Sequence, residues 1–177
     1  MVQKLIRFIS VEEFRKVLKA ETDNSRKLAY VLGFGSGLRI SEIVGAAPNS
    51  NQDIKPLKQN QVDLQSKQIK VLGKGGKERI TVINPLFPIR ESMLKLLPLK
   101  IERRTLQNHF KKLCMKVLDK DLTFHTLRHG FANHMLNDRS LSMPMVQGFG
   151  GWARLDTVGI YAVANPVQAI TKVWEGF

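Results

Sequence analysis

The sequence predicts a mainly helical α+β domain that carries one small antiparallel sheet, and three features predict it. Apolar residues recur at helical spacing over most of the chain, as in Leu106, Phe110, Leu113 and Val117. One pair of alternating β-type runs, Gln68–Leu72 and Arg79–Ile83, flanks the glycine-rich turn Gly73-Lys-Gly-Gly-Lys77. The 177 residues, 43% of them hydrophobic, suffice for one domain with a substantial core.

Taken in order, Ser10-Val-Glu-Glu13 is a capping box, and Phe14, Val17 and Leu18 continue it as a first helix of about ten residues. A second helix starts near Ser25, carries Leu28, Val31 and Leu32, and is expected to break at Gly33-Phe-Gly35-Ser-Gly37. A short helix with Leu38, Ile40, Ile43 and Val44 follows, then a polar loop from Pro48 to Asn60. After the hairpin, Pro85 to Leu97 reads as helical, with Pro98 as its stop. Thr105 to Leu118 is a strong helix whose outer face holds Gln107, Asn108, Lys111 and Lys112, with Arg103 and Arg104 just before it. A central helix is expected from Thr126 to Asn137, and a weak one from Pro144, loosened by Gly148, Gly150 and Gly151. Asp156 to Ala164 forms another short helix, and Asn165-Pro166 opens a last one to Trp174.

Charge narrows the function classes. The chain holds 28 Lys and Arg against 15 Asp and Glu, a formal excess of +13. That excess favours a polyanionic partner, nucleic acid first. No basic amphipathic helix of the interfacial kind suggests a membrane surface. The single cysteine, Cys114, cannot form an intrachain disulfide and falls in an apolar helical pattern, as a small core residue in a reducing compartment would. Neither a cleavable signal nor a run of 18 apolar residues is present, and no Cys/His cluster offers a metal site.

Individually, the chemical motifs are open to ordinary explanations. Arg39 and Glu42, three apart, could be a surface ion pair. The turn around Lys74 and Lys77 lacks the spacing of a nucleotide-binding loop and could be a solvated hairpin tip. His125 could be a hydrogen-bonded residue at a helix start, and Tyr161 half-buried packing. His125 and Arg128, however, stand at the start of an amphipathic helix and can face one way, where a guanidinium would clamp an anion.

Together the motifs carry more. The phrases Gly37-Leu-Arg-Ile-Ser-Glu-Ile, Gly73-Lys-Gly-Gly-Lys-Glu-Arg, His125-Thr-Leu-Arg-His-Gly-Phe-Ala-Asn-His and Gly151-Trp with Tyr161 nine residues later occur in that order. In this the chain resembles the catalytic domain of the tyrosine recombinases, the phage integrase family, over nearly its whole length. The resemblance implies a site-specific recombinase or integrase that cleaves and rejoins double-stranded DNA through a 3′-phosphotyrosine intermediate, without metal, cofactor or ATP. DNA recombination and integration by mobile genetic elements is the expected setting. A type IB topoisomerase shares the catalytic groups, and a non-catalytic DNA-binding remnant is the third reading.

By resemblance, Arg39 and Arg128 stabilise charge on the phosphate oxygens and Tyr161 is the nucleophile. Lys74, in preference to Lys77, is the general acid for the leaving oxygen, and His125 assists proton transfer. Trp152 stands where most members have histidine, and its indole N–H can donate but cannot shuttle a proton. Glu42 orients the site, and His129 packs behind Arg128 as support. Lys77, Arg79, Arg103, Arg104, Asn108, Lys111 and Lys112 are expected to contact DNA. The catalytic domain is expected to fill residues 1–177, with the separate N-terminal DNA-clamping domain of the family absent. Residues 166–177 are expected to form a helix passed to a neighbouring copy in a tetramer on DNA. The glycines before Tyr161 suggest a mobile tyrosine segment, and a cytoplasmic, nucleoid-associated location follows from the same resemblance.

Overall fold

A computed structural model describes residues 8–46, 53–73 and 76–162. Local signals start the chain as expected. Ser10 accepts from the Glu13 backbone N–H while the Glu13 carboxylate accepts from that of Ser10, so the capping box opens α1 (Val11–Ala20). Asp23 caps α2 (Asn24–Gly35) by accepting from the Arg26 N–H. Phe14, Phe34 and Phe87 then cluster in stacked and edge-on ring pairs with centroids 4.3–5.4 Å apart.

The break in α2 falls within the expected stretch Gly33 to Gly37, though not at its first glycine. The helix runs on to Gly35, and the left-handed residue is Gly37, at φ 68°. Gly33 instead allows close packing, since a Cβ there would lie 3.0 Å from Leu127 Cδ1. A short α3 (Ile40–Val44) follows, then a 3₁₀ turn (Gln59–Gln61).

The sheet has three antiparallel strands in sequence order: β1 (Val62–Asp63), β2 (Gln68–Leu72) and β3 (Glu78–Val82). Ile69 pairs with Thr81 and Val71 with Arg79, which buries Ile69, Val71 and Thr81 on one face. The two-residue β1 is too short to leave an alternating pattern in the sequence.

The helix expected from Pro85 to Leu97 shrinks to α4 (Glu91–Leu94). Before it, Asn84 holds a turn by accepting from the Leu86 N–H, and Phe87 and Ile89 point inward two positions apart, as extended backbone requires. The strong α5 spans Arg103–Leu118, so Arg103 and Arg104 lie within its first turn. Its Leu106, Phe110 and Cys114 are fully buried. Burial pushes the Cys114 thiol up to about 12, which keeps it an inert core residue.

The central helix α6 (His125–Asn133) widens into a π-helical turn (His134–Asp138) rather than continuing as α-helix. α7 (Met143–Gly150) forms despite its glycines and ends on left-handed Gly151, whose N–H bonds the Gln147 carbonyl. α8 (Asp156–Gly159) is shorter than expected. The helix expected over residues 166–177 lies outside the described residues, as does Lys74.

Two apolar clusters result. The larger gathers α1, α2, the sheet and α5 and ends at Leu127. The smaller holds Phe131, Ala132, Met135, Val146, Val158 and Tyr161. Arg128 comes from the stretch of α6 between them, so the fold places a guanidinium where two cores meet.

Candidate active site

Arg128 is 1% exposed, an unusual position for an arginine. Its Nη1 donates to the carbonyls of Gly37 at 2.7 Å and Gly150 at 2.6 Å, and its Cζ lies 3.9 Å from the Trp152 ring centroid. Nη2 is buried with no hydrogen-bond partner among the described residues. Burial, reinforced by the nearby Arg39 charge, pushes its pKa down to about 9, so the group remains a cation at neutral pH. A buried cation with an unused donor is arranged to receive an anion.

Arg39 reaches the same place from the start of α3. It donates through Nη1 to Glu42 at 3.0 Å and through Nη2 to the Gly151 carbonyl at 3.0 Å. Its side chain keeps 40% of its surface exposed. Arg39, Arg128 and His125 line one cavity of about 280 Å³ together with Arg103 and Gln107 of α5. Across Arg39 a second cavity of about 380 Å³ is lined by Gly73, Lys77, Glu78 and Arg79, bringing the hairpin to the cluster.

Glu42 is buried beneath these cations. Burial alone would raise its pKa, but the hydrogen bonds and charge of Arg79, with those of Arg39, outweigh it and hold the carboxyl below the usual range. Arg79 was expected on the DNA face and instead turns inward. Its Nη1 and Nη2 donate to both Glu42 oxygens, at 2.7 and 2.8 Å, and its Nε donates to the Phe149 carbonyl at 2.9 Å. Nothing in the local sequence signals this, because both partners are distant along the chain.

Tyr161 is 4% exposed and packs in the smaller cluster of its own chain, whereas the preceding glycines had suggested a mobile segment. Its hydroxyl shares a hydrogen bond with His129 Nδ1, and its carbonyl accepts from Asn137. Burial raises the phenol's pKa, partly offset by the Arg128 charge. His129 is thus on the phenol rather than merely behind Arg128. Burial, with His125 and Arg128 nearby, pushes His129 down to about 4, so it is neutral at pH 7. His125 stands edge-on to it, ring centroids 4.4 Å apart, and is lowered by burial and the charges of Arg128 and Arg39. The His-x-x-x-His spacing, one turn of helix, could have signalled the pair.

Trp152 occupies the angle between Arg128 and Tyr161, its ring 6.4 Å from the phenol. Gly150 makes room for it, since a Cβ at 150 would fall 1.8 Å from Trp152 Cζ3. The remaining candidates lie on α5, where Arg103, Arg104, Asn108, Lys111 and Lys112 are all exposed and Lys111 pairs with Asp121 at 3.0 Å. Among the described residues no cluster of His, Cys, Asp and Glu could hold a metal, and no helix is long and apolar enough to cross a membrane.

Comparison with known proteins places this geometry. The fold matches catalytic domains of tyrosine recombinases, including that of the bacteriophage HP1 integrase, with TM-score 0.62 and 18% identity over 94% of each chain. The XerA recombinase matches with TM-score 0.66 and 21% identity over 96% of this chain and 64% of its own. The model of the phage integrase family matches residues 5–167, and the chain belongs to that family. The tyrosine recombinase XerC of Escherichia coli is 33% identical over 189 aligned positions. That alignment covers 94% of this chain and 59% of XerC, so the chain spans less than two thirds of that relative.

Proposed function

We propose that this chain cleaves and rejoins DNA at specific sites, with Tyr161 as nucleophile and Arg39 and Arg128 as the phosphate clamp. The observation that carries the reading is the buried Arg128 Nη2, without a partner among the described residues, beside Arg39, with the Tyr161 hydroxyl held on His129, the next residue of α6. Attack of the phenol oxygen on phosphorus forms an O–P bond and breaks the bond to the 5′ oxygen. Negative charge grows on the non-bridging oxygens in that transition state, where two fixed guanidiniums act most strongly. The phosphotyrosine link conserves the bond energy, so rejoining needs no ATP.

Neutral His129 is placed to accept the phenol proton, with His125 one helical turn away on the cavity side. The leaving 5′ oxygen requires a proton, and Lys74 on the hairpin is the residue we assign to it. The Trp152 indole packs over Arg128 and can offer its N–H to a phosphate oxygen. The exposed cations of α5 then bind double-stranded DNA, with Arg103 closest to the clamp. XerH, solved on its difH substrate before cleavage, has this fold at TM-score 0.65 and 21% identity.

A nicked suicide substrate tests the assignment. The chain should form a covalent DNA adduct that Tyr161→Phe abolishes, and Arg39→Ala or Arg128→Ala should slow adduct formation on the order of 10²–10³-fold. An adduct that persists in Tyr161→Phe would refute it. Products joined between two sites support recombination, whereas relaxation of supercoils alone would indicate topoisomerase-like activity. We assign residues 166–177 to contact between copies, so deleting them should spare cleavage and abolish joining.

A further inference from the structure

Arg79 commits its guanidinium to three hydrogen bonds within the site, and DNA contact does not account for them. One planar guanidinium joins three separated segments. It lies on β3, bonds both oxygens of Glu42 on α3, and bonds the Phe149 carbonyl near the end of α7. Gly151 packs directly on it, since a Cβ at that position would lie 2.8 Å from Arg79 Cδ. The side chain is only 12% exposed.

The two arginines compete for one carboxylate. Glu42 Oε1 accepts from Arg79 Nη1 at 2.7 Å and from Arg39 Nη1 at 3.0 Å. Arg79 takes both oxygens side by side, the geometry in which a guanidinium binds a carboxylate most strongly. The Arg39 guanidinium is left with one bond to Glu42 and one to the Gly151 carbonyl, while the Arg39 backbone N–H also donates to Glu42 Oε2 at 2.7 Å. Without Arg79, the buried carboxylate would have Arg39 as its remaining cation and would draw it into the two-point pairing.

We infer that Arg79 is a positioning residue that saturates Glu42 so that Arg39 stays free to bind the scissile phosphate. The inference rests on the reading of Arg39 as a phosphate clamp, and it makes a prediction that a purely structural role does not. Removing Arg79 should be harmful, and removing Glu42 as well should relieve the harm, because no carboxylate then remains to capture Arg39.

The experiment pairs adduct formation on nicked DNA with NMR of the Arg39 Nε–H, assigned by its loss in Arg39→Ala. Variants are Arg79→Gln, Glu42→Gln and the double variant, each checked for folding by its thermal transition. Arg79→Gln should slow adduct formation on the order of 10²-fold, the scale for a displaced catalytic group. Exchange of its Arg39 Nε–H with water should slow. The double variant should recover adduct formation about tenfold over Arg79→Gln, a coupling expected within one ion-pair network, and restore fast exchange. Additive or worse loss in the double variant overturns the inference, as does unchanged Arg39 exchange in Arg79→Gln. If Arg79→Gln does not fold, the double variant against Glu42→Gln decides: similar rates and fast exchange in both support the role, and a large further loss refutes it. The exchange measurement needs no DNA cleavage, so it separates failure of this inference from failure of the proposed activity.

Discussion

His129 shows how burial, helped by neighbouring cationic groups, sets a residue's chemistry. Its ordinary pKa near 6.5 falls to about 4, so the unfolded chain binds a proton in that interval that the folded chain excludes. Stability should therefore be intact above about pH 6.5 and decline as pH falls toward 4. A pH series of thermal transitions checks this, and His129→Gln should flatten the acid side of the profile. Gly150 offers a steric test at the same scale. Ala at 150 would collide with the Trp152 ring, displace it from Arg128, and cost about 1–3 kcal/mol by overpacking. Denaturant melts read that loss, and adduct formation should drop further than Trp152→Phe alone would cause.

Among the elements, α7 separates two uses of glycine. Gly148 faces open space, so Gly148→Ala should stabilise the helix by roughly 0.5–1 kcal/mol, the difference in helix propensity. In α6, a Cβ at Gly130 would lie 2.6 Å from both the Ile9 carbonyl oxygen and the Phe34 ring, and Gly130→Ala should destabilise by about 1–3 kcal/mol. Opposite signs for the two substitutions, measured by denaturant melts, are the expected outcome. In sequence the two glycines look alike, because spacing along one helix does not disclose what stands across from it. Gly33 is a further case: it opens the expected break at Gly33 to Gly37, yet it stays helical and its tight partner is Leu127 of α6. Conversely, the Ser10 capping box, strand β2 and nearly all of α5 were legible, since each is written in a few adjacent residues.

At the scale of the whole molecule, a formal charge of +13 over 177 residues predicts strongly electrostatic DNA binding. If six or more phosphates are neutralised, affinity should fall about 10³-fold or more between 50 and 200 mM salt. A salt titration of binding to duplex DNA checks it, and a flat response would contradict a phosphate-dominated interface. Arg104→Ala on α5, an exposed cation, should reduce the slope by about one phosphate contact. The sequence by itself determined the helical class, the hairpin, the basic character and the identities of Arg39, Arg128 and Tyr161 as candidates. Only the tertiary structure decided that Arg79 binds Glu42 and that His129 meets the Tyr161 hydroxyl. Local spacing fixes the face from which a side chain departs. What it meets depends on segments packed from far along the chain, and for long or ring-bearing polar groups that meeting sets the charge state and the role.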